Sequence, residues 1–123
     1  MMTGVVTPAR EAVMRVLVRG ARGQEAQIDA VVDTGFNGFL TLPVQLITTL
    51  ALSFAGTTQA TLGDGSAVHM DVFEAIVLWD NHERSVAVLA VEGSALVGMA
   101  MLSGYRLSLD VKDGGAVVIE ALA

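Results

Sequence analysis

Apolar and polar residues alternate along most of this 123-residue chain, in short stretches that are separated by glycine-containing turns. This period of two is typical of strands that bury one face. Some stretches become wholly apolar, which predicts strands that enter the interior of the fold. The pattern predicts about eight short strands, of which the clearest cover residues 12–18, 26–32, 57–62, 67–78, 85–91, 105–111 and 116–122.

Two segments are predicted to be short helices. In the first, residues 43–50, Pro43 suits the opening turn because a backbone N–H is not needed there. In the second, residues 94–102, Ser94 is a plausible N-cap and Gly104 a plausible stop. Short strands joined by tight turns, with few helices, predict an all-β, barrel-like fold.

Composition narrows the classes of protein and of partner. With 53% hydrophobic residues, the chain is rich enough in apolar side chains to fold as a single globular domain. We expect this domain over residues 12–123, after an N-terminal tail over residues 1–11. A net charge of -6 argues against nucleic-acid binding. We find no apolar segment that is long enough to span a membrane. Cysteine is absent and no secretory signal is evident, so we expect a cytoplasmic protein.

The strongest candidate for chemistry is Asp33, which follows the apolar residues Val31 and Val32 directly. Taken alone, it could be a turn residue that binds its own backbone. Its position at the end of a core strand favours a functional carboxylate instead. His69 and His82 have no familiar metal-ligand spacing, so we predict no metal site and no cofactor.

Three features of the chain occur together: Asp33-Thr34-Gly35 after an apolar strand, a glycine hairpin at residues 63–66, and the sequence Leu96-Val97-Gly98 before a short helix. With these features the chain resembles the retropepsin-type aspartic proteases, which include the retroviral proteases and single-domain bacterial relatives. The resemblance implies a retropepsin-like acid protease barrel with one or two short helices, functional as a homodimer. It also implies an aspartic endopeptidase that acts on a peptide or protein substrate.

The resemblance also implies roles for individual residues. Asp33 would be the catalytic carboxylate, Thr34 would fix the paired loops of two chains, and Gly35 would leave room for the substrate main chain. The hairpin would be a flap that closes over the peptide. Substrate contacts would come from Phe36, Asn37, Gly63, Asp64, Gly65, Ser66 and Val97.

The chain departs from the retroviral pattern at two positions and from the bacterial pattern at a third. Asn37 and Met99 stand where an acidic residue and an arginine usually form an ion pair, and Ala100 replaces an aspartate that is common in bacterial relatives. The alternative hypothesis is therefore an inactive module that kept the fold and binds a peptide or protein partner. A third is a protease that is active only within a larger assembly.

Overall fold

Ten strands and two short helices form the part of the chain that the computed structural model describes, residues 1–61 and 64–123. The fold is therefore all-β, as predicted. The helices are α1 (Val44–Thr49) and α2 (Met99–Leu102). The strands are β1 (Met2–Val6), β2 (Ala12–Arg19), β3 (Glu25–Val32), β4 (Leu40–Pro43), β5 (Ser53–Thr61), β6 (Ala67–Trp79), β7 (His82–Val91), β8 (Leu96–Val97), β9 (Tyr105–Leu109) and β10 (Ala116–Ala121).

The strands form one sheet in the order β5-β6-β7-β4-β8-β3-β2-β1-β10-β9. An additional pairing between β6 and β2 closes the six strands from β6 to β2 into a barrel. Strands β1, β10 and β9 extend the sheet beyond β2, and β5 extends it beyond β6. Two short strands, β4 and β8, are members of this closed ring, and they position the candidate site.

The barrel interior is filled by inward-facing residues, which occur at every second position along the strands. Along β2, for example, Met14, Val16 and Val18 are buried while the residues between them are more exposed. Burial of each such side chain contributes about 1.5–3 kcal/mol. The alternation that predicted the strands is thus the alternation that builds the core.

The longest strands, β6 and β7, are joined by a turn of two residues. Trp79 pairs with His82, and the residues between them, Asp80 and Asn81, have φ values of 51° and 65°. Asp and Asn tolerate this left-handed conformation better than most side chains, and such turns match the twist of the flanking strands.

The N-terminal residues differ from the predicted tail over residues 1–11. Strand β1 pairs with both β10 and β2, so it lies within the sheet. Gly4 permits the close approach, because a Cβ there would lie 2.2 Å from the carbonyl oxygen of Val13. A five-residue strand whose partner β10 is more than a hundred residues away leaves no local pattern to detect.

The predicted helix over residues 94–102 is the second difference. Leu96 and Val97 form strand β8, and helix α2 begins only at Met99. Its N-cap is Gly98, in an extended conformation, rather than the predicted Ser94. The apolar run favoured a helix locally, but pairing with β3 and β4 makes its first part a strand.

Neither of the helices in the described parts of the chain is long and apolar enough to cross a membrane.

Candidate active site

Asp33 lies at the end of β3, at the entrance to a loop that leads to β4. Its backbone N–H donates to the carbonyl oxygen of Val97 at 2.9 Å, which extends the pairing of β3 with β8 by one residue. The backbone N–H of Gly35 donates to Asp33 Oδ1 at 2.8 Å. Asp33 as a whole is half-buried, and its Oδ2 accepts no hydrogen bond from the described residues. One oxygen is therefore held by the loop and the other is left for a further partner.

Strand β8 holds this loop from one side. It pairs in parallel with β3, Val32 opposite Val97, and antiparallel with β4, Leu40 opposite Val97. Because β3 and β4 are the two strands that flank the Asp33 loop, β8 ties both ends of that loop together. The position of Asp33 therefore depends on a segment more than sixty residues later in the chain.

The start of helix α2 binds the Asp33 loop through backbone hydrogen bonds. Gly98, Met99 and Ala100 donate to carbonyl oxygens of residues 39, 36 and 38, at 3.0, 2.8 and 3.1 Å respectively. Gly98 has no room for a side chain, since a Cβ would lie 2.2 Å from the carbonyl oxygen of Gly38. The ring of Phe36 also covers Gly98. The glycine therefore allows the loop and the helix to meet main chain to main chain.

Thr41 joins β4 to the approach of β8 through its side chain. Its hydroxyl accepts a hydrogen bond from the backbone N–H of Leu96 at 2.9 Å and lies 3.5 Å from the carbonyl oxygen of Ser94, to which it donates. The residue is only 3% exposed. Nothing in the sequence analysis singled out Thr41, because an isolated threonine in an apolar run has no distinguishing pattern.

Replacing Thr41 by Val is expected to lower the free energy of unfolding by about 1–3 kcal/mol, because the N–H of Leu96 would lose its acceptor in a partly buried site. Urea denaturation measures this change. Thr48→Val is the matched control, since its exposed hydroxyl also donates to a backbone carbonyl, that of Val44 at 3.1 Å. Equal stability of the two variants would show that the Thr41 hydroxyl does not hold β8.

The β5–β6 hairpin projects from the barrel as a two-stranded arm. Pairing of β6 with β7 ends at Val72, whereas β5 and β6 stay paired up to Thr61 and Ala67. At the tip, Asp64 Oδ1 accepts hydrogen bonds from the hydroxyl of Ser66 at 2.6 Å and from its backbone N–H at 2.9 Å. These bonds, that from the hydroxyl above all, lower the pKa of Asp64. The tip therefore carries a fixed negative charge.

Two solved structures have the same architecture. One is EIAV protease complexed with an inhibitor, with a TM-score of 0.58, 15% sequence identity, and 77% of this chain and 88% of that chain covered. The other is a retropepsin-like aspartic protease from Rickettsia conorii, with a TM-score of 0.59, 16% identity and coverage of 99% and 91%. This chain has the retropepsin-like fold. No protein-family model and no curated protein sequence matches it.

Within this retropepsin-like fold, the predicted residues of the Asp33 loop lie together at one surface. Thr34, Gly35 and Asn37 are exposed, and Phe36 is half-buried with its ring against two glycines, Gly38 and Gly98. Phe36 thus has a packing role, and its contact with substrate stays a prediction. Since the loop is open to solvent on this side, it is available to a peptide or to a second chain.

Val97 does not fit its predicted role in substrate contact. Its side chain is fully buried in the barrel core, because β8 turns alternate residues in opposite directions. Leu96, its half-buried neighbour, faces the other way. If residues 96–97 are interpreted as a strand, their two side chains are expected to point in opposite directions.

The predicted hairpin residues lie away from the Asp33 loop in this structure. Asp64, Gly65 and Ser66 are exposed at the tip, with Gly65 in the left-handed region at a φ of 86°, and Gly63 lies outside the described residues. Within residues 1–61 and 64–123, no hydrogen bond joins the tip to the loop. Those same residues also contain no group of His, Cys, Asp or Glu that could hold a metal ion.

Proposed function

We propose that the protein is an aspartic endopeptidase whose active site forms when two chains bring their Asp33 carboxylates together. The observation that carries this proposal is the half-buried Asp33 at the end of β3, with one oxygen held by the N–H of Gly35, in a retropepsin-like fold. The fold alone hosts no chemistry, and the argument rests on this carboxylate.

Two carboxylates about 3 Å apart cannot both ionise comfortably, so they share one proton, as in the aspartic proteases generally. The ionised group takes a proton from the attacking water, and the protonated one donates a hydrogen bond to the carbonyl oxygen of the peptide. The proton is later passed to the leaving amine. The two titrations belong to the pair of carboxylates together, and we expect activity at mildly acidic pH.

Each chain supplies one Asp33, so the proposal requires a homodimer with a two-fold axis beside the loop. The exposure of Thr34 and Gly35 supports this requirement, since both would be covered by a partner. Met99 supports it too, because its side chain is 45% exposed although its backbone N–H binds the Asp33 loop. An apolar side chain beside the proposed axis is suited to contact with a second copy.

The projecting β5–β6 hairpin is suited to gripping an extended peptide. Its strands pair with each other rather than with β7 beyond Val72, so the arm has room to move relative to the barrel. We propose that it acts as a flap over a peptide or protein substrate, in the manner of strand addition. Leu96 and Phe36, both half-buried, would line the site beneath it.

The requirement for two chains makes a direct test possible. We expect the rate of peptide cleavage per chain to rise with protein concentration and to level off where sedimentation shows the dimer to be complete. A cleavage rate per chain that stays constant down to concentrations where the protein is monomeric would contradict the shared site. Inhibition by a pepstatin-type compound, which needs a formed pair of aspartates, provides an independent check.

The second candidate is a non-catalytic module that uses the same surface to bind a peptide or protein partner. The exposed Asn37 and Met99 favour it, since both are neutral where the retroviral pattern has an ion pair that steadies the dimer. The two candidates differ in one measurement: a module would bind peptides without cutting them, at any protein concentration.

A further inference from the structure

Charge is divided unevenly along the chain. Residues 23–105, here called the acidic span, contain nine Asp and Glu residues but a single cation, Arg84. The remaining residues contain six Lys and Arg and four acids, which is a small excess of positive charge. The net charge of the whole protein therefore comes entirely from the acidic span.

All the elements of the candidate site belong to the acidic span. The Asp33 loop, strand β8 and the β5–β6 hairpin lie between residues 33 and 98. Asp64 is at the hairpin tip, and Glu92 is exposed in the segment that leads into β8. Three residues after Glu92, the carbonyl oxygen of Ala95 accepts the N–H of Val31 in β3, close to Asp33. Negative charge thus occurs on the elements that form the candidate site.

The one cation of the acidic span is engaged elsewhere. The guanidinium of Arg84 donates to the carbonyl oxygen of Met101 at 3.3 Å and lies 5.7 Å from the centroid of the Phe39 ring. It is half-buried between α2 and the base of the loop. Arg84 therefore helps to hold α2 against the base of the Asp33 loop, and its guanidinium is not directed at the hairpin tip.

Two cations outside the span pair with acids of the span other than Asp33, Asp64 and Glu92. Arg15 pairs with Asp29 at 3.5 Å, and Arg19 pairs with Glu83. Within the described ranges, no cation forms a salt bridge with Asp33, Asp64 or Glu92.

Resting on the proposed function, we infer that this site selects peptide segments rich in lysine and arginine. A site that carries an excess of one sign of charge attracts oppositely charged ligands and increases their rate of association, by about 10–1,000-fold at low ionic strength. Acidic segments are repelled by the same field. Specificity would then arise from the charge around the scissile bond as well as from the apolar side chains beneath the hairpin.

The test uses three peptides with one apolar scissile sequence, flanked by lysines, by serines or by glutamates. In low salt we expect kcat/KM for the lysine peptide to exceed that for the glutamate peptide by about tenfold or more. The ratio should fall toward one in high salt, because the Debye length is about 3 Å at 1 M ionic strength. The serine peptide gives the basal rate.

Charge-neutralising variants assign the preference to named residues. The double variant Asp64→Asn, Glu92→Gln should reduce the lysine-to-glutamate ratio severalfold, while the amide introduced at the hairpin tip keeps an oxygen that can accept the hydrogen bonds of Ser66. The matched control is the double variant Asp110→Asn, Asp113→Asn, which removes two charges from exposed positions between β9 and β10 and should leave the ratio unchanged. An equal effect of both changes would show that only net charge matters and would overturn the assignment to the site.

The outcomes separate this inference from the proposed function. Cleavage of all three peptides at similar rates in low salt would overturn the charge preference and leave the peptidase intact. If none of the peptides is cut, the peptidase proposal fails, and binding decides the inference. In that case, fluorescence anisotropy with labelled peptides should still show tighter binding of the lysine peptide, and equal binding of the lysine and glutamate peptides would refute it.

Discussion

The substitution Asp33→Asn is expected to lower the rate of peptide cleavage by about 10³-fold or more, because general acid–base catalysis by a carboxyl group would be lost in both chains of the dimer. The fold should survive. Asparagine keeps an oxygen that can accept the hydrogen bond from the N–H of Gly35, which is the contact that Asp33 Oδ1 makes in the loop. The measurement is kcat/KM on an apolar peptide, together with urea denaturation and sedimentation.

The matched control is Asp29→Asn, four residues earlier on the same strand. Asp29 is exposed and forms a surface ion pair with Arg15 at 3.5 Å, and such pairs contribute about 0–1 kcal/mol to stability. We expect activity and stability close to those of the unchanged protein. Activity retained by the Asp33→Asn variant would remove the carboxylate from the mechanism and leave the binding module as the better explanation.

Of the substitutions proposed for this protein, Gly98→Ala should lower the free energy of unfolding the most. The added methyl group would lie 2.2 Å from the carbonyl oxygen of Gly38 and 2.7 Å from that of Phe36. Both are backbone atoms, and three hydrogen bonds hold their segment against the start of α2. Since the loop cannot move away without losing these bonds, we expect the free energy of unfolding to fall by about 3 kcal/mol or more.

Gly93→Ala is the control for this prediction. It lies in the segment just before β8, and a Cβ there meets no heavy atom within 4 Å. An exposed substitution of this kind should change the free energy of unfolding by no more than about 0.5 kcal/mol. If the two variants unfold at the same urea concentration, the close contact of the loop with α2 does not govern stability.

A destabilised Gly98 variant should also lose activity where it still folds. The loop that Gly98 supports carries Asp33, and productive geometry of a catalytic pair tolerates displacements of only a fraction of an ångström. Comparison of the Gly98→Ala variant with the Asp33→Asn variant therefore separates two requirements of the same loop. The first variant disturbs its position, and the second removes its chemistry.

The peptidase and the binding module share the fold and differ in whether two Asp33 carboxylates meet. The solved structures of similar architecture are 15% and 16% identical to this chain, so they establish the fold and leave the chemistry to the residues themselves. Asn37 and Met99 replace both members of the retroviral ion pair by neutral residues, so no charge is left without a partner. A dimer of this chain would nevertheless lack the stabilisation that the ion pair provides.

Local patterns in the sequence determined most of the barrel. Strands β2, β3 and β10 follow directly from alternation, because a strand with one buried face must place apolar residues at every second position. The place of Asp33 was also determined locally, since an apolar run that ends in Asp-Thr-Gly leads the chain out of the core at that point. These features depend on neighbouring residues, so they can be read from one segment at a time.

Tertiary structure decided the features in which distant segments meet. Residues 96–97 became a strand because β3 and β4 offer hydrogen-bonding edges on both sides, and that pairing outweighed the local preference for helix. Thr41 became a buried support for the same reason, and β1 joined the sheet through partners at both ends of the chain. Contacts of this kind depend on which surfaces the folded chain brings together, and no single stretch of sequence contains that information.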